Sequence, residues 1–161
     1  MTNRYSAALV AGFLFIGGHA PRAQSVQNSR SADRNPLARA KSLKCTFSLN
    51  TAGGWVNDVA QAQTKVEDTS LDIDSIDTAE GTARIAGSNS DITALLTASS
   101  LHFLERSFSG NLTVTTVFAQ EGPKGKYRAV RSRHDYLPVN IPGLVSAPTV
   151  VQYYGACEMG V

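Results

Sequence analysis

A chain of 161 residues has room for one domain and not for two. Charged residues make up 17% of it, against roughly a quarter in ordinary globular chains, and Ser, Thr and Gly fill the difference, a composition of strands and turns rather than of helix surfaces. Cleavage of the leader described next removes Arg4 and Arg22 from the 15 basic residues, leaving 13 against 13 acidic ones; with no basic surplus to neutralise phosphates, a nucleic-acid binder is excluded.

Residues 1–25 follow the plan of a secretory signal peptide, with Arg4 as the positive end and an apolar run over residues 7–18. That run is too short for a transmembrane anchor, which needs about 20 apolar residues. Small residues place the cut after Ala23 or after Ser25, and no Cys lies beside it to carry a lipid. The expected location is therefore periplasmic or secreted. Residues 26–41 lack aromatic residues and a strand period and read as a flexible N-terminal lead, with room for one helical turn near Pro36.

From residue 42 to 161 the chain reads as a single β-barrel domain in which the apolar period is two. Leu43, Cys45, Phe47 and Leu49 share one face of a first strand, residues 43–49. A turn is expected at residues 50–54, where Asn50 precedes the Gly53-Gly54 pair, and Trp55 reads as a packing plug beside it. Residues 56–63 fit a loop, a short strand or a helix. Further strands are expected at 69–77, 81–86, 92–96, 101–108, 112–118, 126–134 and 149–159, with a proline-rich covering loop before the last. Their joints are too short for crossover helices, so neighbours should be antiparallel.

Cys45 and Cys157 are the only cysteines, and an even count in an oxidising compartment favours a disulfide. Such a bond needs Cα atoms within about 7 Å, which makes the first and last strands neighbours. The expected fold is all-β: an antiparallel, up-and-down, lipocalin-like closed barrel of about eight strands, in which closure removes both sheet edges. A sandwich with adjacent ends is the rival architecture.

Charge is segregated along the chain, with residues 58–91 acidic and residues 30–44 and 106–135 basic; the ordinary meaning is solvated faces that partly pair. Asp72, Asp74, Asp77 and Glu80 invite a calcium reading, but Ile76 stands where a ligand should be and the sharp-turn Gly is missing, so no metal and no cofactor is expected. His102 or His134 could join Glu105, Asp135 or a serine in a triad, yet no nucleophile-elbow motif occurs, and the chain is not expected to be an enzyme.

Residues 101–108 alternate Leu101, Phe103, Glu105 and Ser107 against His102, Leu104, Arg106 and Phe108. Residues 126–134 alternate Tyr127, Ala129, Arg131 and Arg133 against Arg128, Val130, Ser132 and His134. In either register a charged group turns inward. A buried charge must pair, hold water or meet a ligand, so Glu105, Arg131, Arg133 and His134 are the candidate ligand-binding residues, with a Glu105–Arg ion pair as the structural alternative and a bulged or exposed pair of strands as the third.

Leu43-Lys44-Cys45-Thr46-Phe47, the stretch Gly81 to Gly87, Leu101-His102-Phe103-Leu104-Glu105, Ser109-Gly110-Asn111, Thr115 to Phe118, Ala129 to His134 and Tyr154-Gly155-Ala156-Cys157 resemble small exported bacterial proteins of unassigned function, over residues 43–157. In strand pattern the chain is also similar to periplasmic lysozyme inhibitors, which are small stapled barrels, although their inhibitory loop motif has no counterpart here. The expectation is a monomeric, non-catalytic exported barrel that binds a small ligand in its mouth or an envelope protein on its rim. The alternative is an inhibitor of an extracellular hydrolase such as lysozyme, with residues 122–126 or 136–148 as its plug.

Overall fold

The computed structural model describes residues 34–88, 91–136 and 147–160. The expected leader with its cut after Ala23 or Ser25, residues 26–33 of the lead, and residues 137–146 of the proline-rich loop lie outside the described residues.

Eight strands form: β1 (Ser42–Val56), β2 (Val59–Asp77), β3 (Thr82–Ile85), β4 (Asp91–Leu96), β5 (Ser100–Arg106), β6 (Leu112–Glu121), β7 (Tyr127–Asp135) and β8 (Thr149–Gly160). Each contains one of the expected period-two segments or most of it, and β1 and β2 extend well beyond theirs. Each pairs antiparallel with the next, and β8 returns to pair with β1, so the sheet closes on itself as a ring. Cys45 faces Cys157 directly across the β1–β8 ladder, with Cα atoms 3.9 Å apart, and the two are joined as a disulfide.

One end of the ring is filled. Leu43, Phe47, Ile73, Ile76, Leu101, Phe103 and Val117 point inward and are at most 2% exposed, so the interior there is a packed core rather than a channel. The helical turn expected near Pro36 is a 3-10 turn at Pro36–Arg39, and it stoppers this end. Leu37 is fully buried in the core. Asn35 accepts from the Leu37 amide and donates through Nδ2 to the carbonyl of Thr97 at 2.9 Å, which ties the turn to the β4–β5 connection. Packed structure thus begins several residues before Ser42.

The turn expected at residues 50–54 is overturned, and of the alternatives open for residues 56–63 strand is found on both sides of a tight reversal. Residues 50–54 are strand, and the chain reverses at Asn57 and Asp58, with φ of 50° and 60°, between the paired Val56 and Val59. Two successive left-handed residues make a two-residue hairpin turn whose twist matches the strands it joins, and Asn and Asp tolerate that conformation better than other side-chain-bearing residues. Gly53 and Gly54 need no turn; they lie in the ladder between β2 and β8.

Between Phe47 and Leu49 the β1–β8 register slips by one, leaving Ser48 unpaired as a bulge. The slip explains why Phe47 and Asn50, three residues apart, are both buried. Gly155 sits opposite the bulge, where a Cβ would come within 2.6 Å of the Phe47 Cα and overlap the Thr46 carbonyl. Only glycine allows β8 to approach β1 so closely.

The strands are unequal. β1 and β2 have 15 and 19 residues, β3 and β4 only 4 and 6. The ring is therefore complete at the stoppered end. At the other end β2, β1, β8, β7, β6 and β5 continue as an open, curved sheet with a gap on the β3–β4 side.

Candidate functional site

The inner face of that open sheet carries the charges. Alternation along β5 and β7 turns Glu105, Arg131 and Arg133 to the same side: Glu105 pairs with Thr113 and Thr113 with Arg133, while Thr115 links Phe103 to Arg131. Arg131 Nη2 donates to Glu105 Oε2 at 2.9 Å, and its Nη1 lies 3.5 Å from Thr115 Oγ1. The Arg131 side chain is 19% exposed and that of Glu105 35%, so the pair is sheltered but not sealed. Arg133 Nε sits 2.9 and 2.7 Å from the two oxygens of Asp135, and this hydrogen bond raises the guanidinium above its already high ordinary pKa.

Phe47, Leu71, Arg131, Arg133 and Tyr153 line a hollow of about 210 Å3 with Thr69 and Ser70. The rings of Phe47 and Tyr153 meet edge to face with centroids 6.4 Å apart. On the β1–β2 side of the same face, Asn50 Nδ2 and Lys65 Nζ both donate to Glu67 Oε2 at 3.0 Å. The Lys65 bond, then that of Asn50, hold the Glu67 carboxyl below the ordinary carboxylate range. Among the described residues, no buried side-chain nitrogen or oxygen lacks a hydrogen-bond partner.

His134 stands apart from this group. It follows Arg133, so strand alternation sends it to the outer face, where Nε2 lies 3.2 Å from Ser132 Oγ. His102 is also outward, bridged between Ser100 Oγ at 2.8 Å and Thr116 Oγ1 at 3.0 Å. Both imidazoles are partnered by hydroxyls, not carboxylates, and Ser100 is only 5% exposed, so neither set has the base–orienter arrangement of a triad. Asp77, of the acidic stretch, spends Oδ1 on the amides of Ala79 and Glu80, both at 2.9 Å, closing the β2–β3 turn.

Sequence alternation found Glu105, Arg131 and Arg133 but not Asn50, Lys65, Glu67 or Tyr153. Asn50, just before a glycine pair, has the sequence signature of a turn, and Lys65 and Glu67 lie in a stretch exposed on both faces, where no apolar period exists. A separate groove of about 770 Å3 opens on the outer wall, lined by Phe118, Val130, Tyr154 and Arg128 among others, where β6 leaves the β7 ladder between Val117 and Glu121. No protein family, curated protein or solved structure matches this chain.

Proposed function

We propose that the protein is an exported, non-catalytic binding protein of an oxidising compartment, periplasmic or secreted, that holds a small anionic ligand with an apolar body in the mouth of its β-barrel. The observation that carries this reading is the hollow of about 210 Å3 bounded by the Arg131 and Arg133 guanidiniums and the Phe47 and Tyr153 rings. At roughly 30 Å3 per water it is worth about seven waters, the size of a small aromatic or short acyl acid. Arg131 spends one terminal nitrogen on Glu105 and turns the other toward Thr115. Among the described residues Arg133 engages Asp135 through Nε and its two terminal nitrogens have no hydrogen-bond partner, a fork that fits a carboxylate or phosphate. The rings supply the apolar wall. Binding rather than turnover is favoured because the described histidines are held by hydroxyls. Export is favoured by the Cys45–Cys157 disulfide, since such bonds persist in oxidising compartments.

Calorimetric titration with benzoate and phenyl phosphate, against benzyl alcohol as the uncharged control, tests the reading. Saturable binding of an anion that weakens at least tenfold in Arg133→Ala is expected. Absence of binding by either anion, or equal affinity in Arg133→Ala, overturns it.

A further inference from the structure

Among the described residues, the upper half of β2 has one neighbour only. On one side residues 59–66 and 69–73 pair with β1, with Glu67 and Asp68 bulged between them. On the other side β3 reaches no further than Ile73, with the Ala86 amide closing on the Asp72 carbonyl at 2.9 Å. Among the described residues nothing pairs with residues 59–71 on that side, and every residue from 59 to 70 is exposed. This is a long edge strand, interrupted by a bulge at Glu67 and Asp68, which stand together opposite Ser48 of β1. On either side of the bulge its free amides and carbonyls form a template that folded proteins ordinarily cover or blunt. Val66, in its middle, is 80% exposed.

Charge selects the occupant. Asp58, Glu67, Asp68 and Asp72 stand along this stretch against the single cation Lys65, which is already bound to Glu67. A second copy of the chain fits badly. In a two-fold antiparallel pairing of edges, the register that sets Lys65 opposite the partner's Glu67 drives the partner's Asn57–Asp58 turn into the place held by Ala86 and β3. Sliding one step outward to relieve this sets Lys65 opposite the partner's Lys65. We infer that the free edge of β2 docks an extended cationic segment of a partner protein, taken up as an added antiparallel strand. Its basic residues lie opposite Glu67 and Asp68, and a β-branched residue covers Val66. The site adjoins the anion hollow, to whose lining Thr69, Ser70 and Leu71 contribute, but it uses the backbone edge of β2 rather than the two guanidiniums and does not depend on what the hollow holds.

The probe is the peptide Val-Thr-Thr-Lys-Lys-Val-Glu-Thr-Thr, written to place Lys-Lys opposite Asp68 and Glu67 and Glu opposite Lys65, and labelled for anisotropy. Its charge-inverted counterpart is Val-Thr-Thr-Glu-Glu-Val-Lys-Thr-Thr. The full chain should bind the first at least tenfold more tightly than the second, with slowed amide exchange confined to residues 60–71. Val66→Lys, at a position too exposed to matter for folding, should lower that affinity at least fivefold, and Asp68→Lys should narrow or reverse the preference between peptides. Equal binding of both peptides, no binding, or protection elsewhere overturns the inference. So does a concentration-dependent dimer that Val66→Lys abolishes, which would make a second copy the occupant.

Discussion

Breaking the bond between Cys45 and Cys157 should lower stability by an amount the chain length sets. The cysteines are 112 residues apart, and the loop-closure entropy denied to the unfolded chain by a cross-link of that span corresponds to about 4.8 kcal/mol at 25 °C. Compact unfolded chains reduce the figure, so a loss of about 3–5 kcal/mol is expected. In a domain of roughly 125 residues, at about 2.1 cal/mol/K of unfolding entropy per residue, this is a fall in Tm of about 12–18 °C. The β1–β8 ladder spans the bond on both sides, from Ser42 opposite Gly160 to Gly54 opposite Thr149, so the reduced protein should keep its fold and far-ultraviolet spectrum. Calorimetry of the intact protein with and without reductant isolates the cross-link, because both sulfurs stay in place. The Cys45→Ala/Cys157→Ala variant adds the cost of two small voids, both residues being at most 1% exposed, and should melt lower still. Full reduction verified by mass, with Tm unchanged within about 3 °C, would refute the reasoning.

Leu37→Ala should cost about 2–5 kcal/mol, the range for removing a fully buried leucine, and a urea midpoint within error of the parent would show that residues 34–41 are not part of the cooperative unit. Asp77 accepts the amides of Glu80 and Ala79, which lowers its pKa in the folded chain. Its contribution is therefore whole above the unfolded value of about 3.9 and lost as pH falls below it through the folded pKa. Glu67 and Glu158, lowered by Lys65 and Lys126 respectively, act with the same sign. Urea midpoints measured from pH 5 to pH 2 should decline, and Asp77→Asn should flatten that limb; an identical slope in the variant would remove Asp77 from the account.

What the sequence revealed depended on whether a segment has one wet face and one dry. Leu43, Cys45 and Phe47 alternate because the ring's interior is on one side of them, and there the strand and its inward residues are legible. Along β6 the strand is legible but not its inward side, because Thr113 and Thr115 are buried with Val117 while Leu112 and Phe118 are exposed. The same alternation separated Arg131 and Arg133 from His134. It failed for residues 59–68, exposed on both faces, so that half of β2 had no pattern to find. The Gly53-Gly54 pair outweighed Asn57-Asp58 as a turn signal because glycine's tolerance of left-handed backbone is the stronger generic cue, although here Asn and Asp adopt that conformation. Leu37 was hidden for a different reason: one apolar residue in a polar stretch has no period, and its burial depends on a cavity supplied by strands far along the chain.

The stopper has a practical corollary for orientation. The described chain enters the ring at the Pro36 turn, and its last described residue, Gly160, accepts from the Lys41 amide at 2.9 Å, so the first and last described segments lie at one pole. The hollow and the free β2 edge belong to the opposite hemisphere. A surface linkage made at that pole, through the segment around Lys41 and Gly160, would thus present those features outward, and the molecule can be captured from behind without masking what it is proposed to hold.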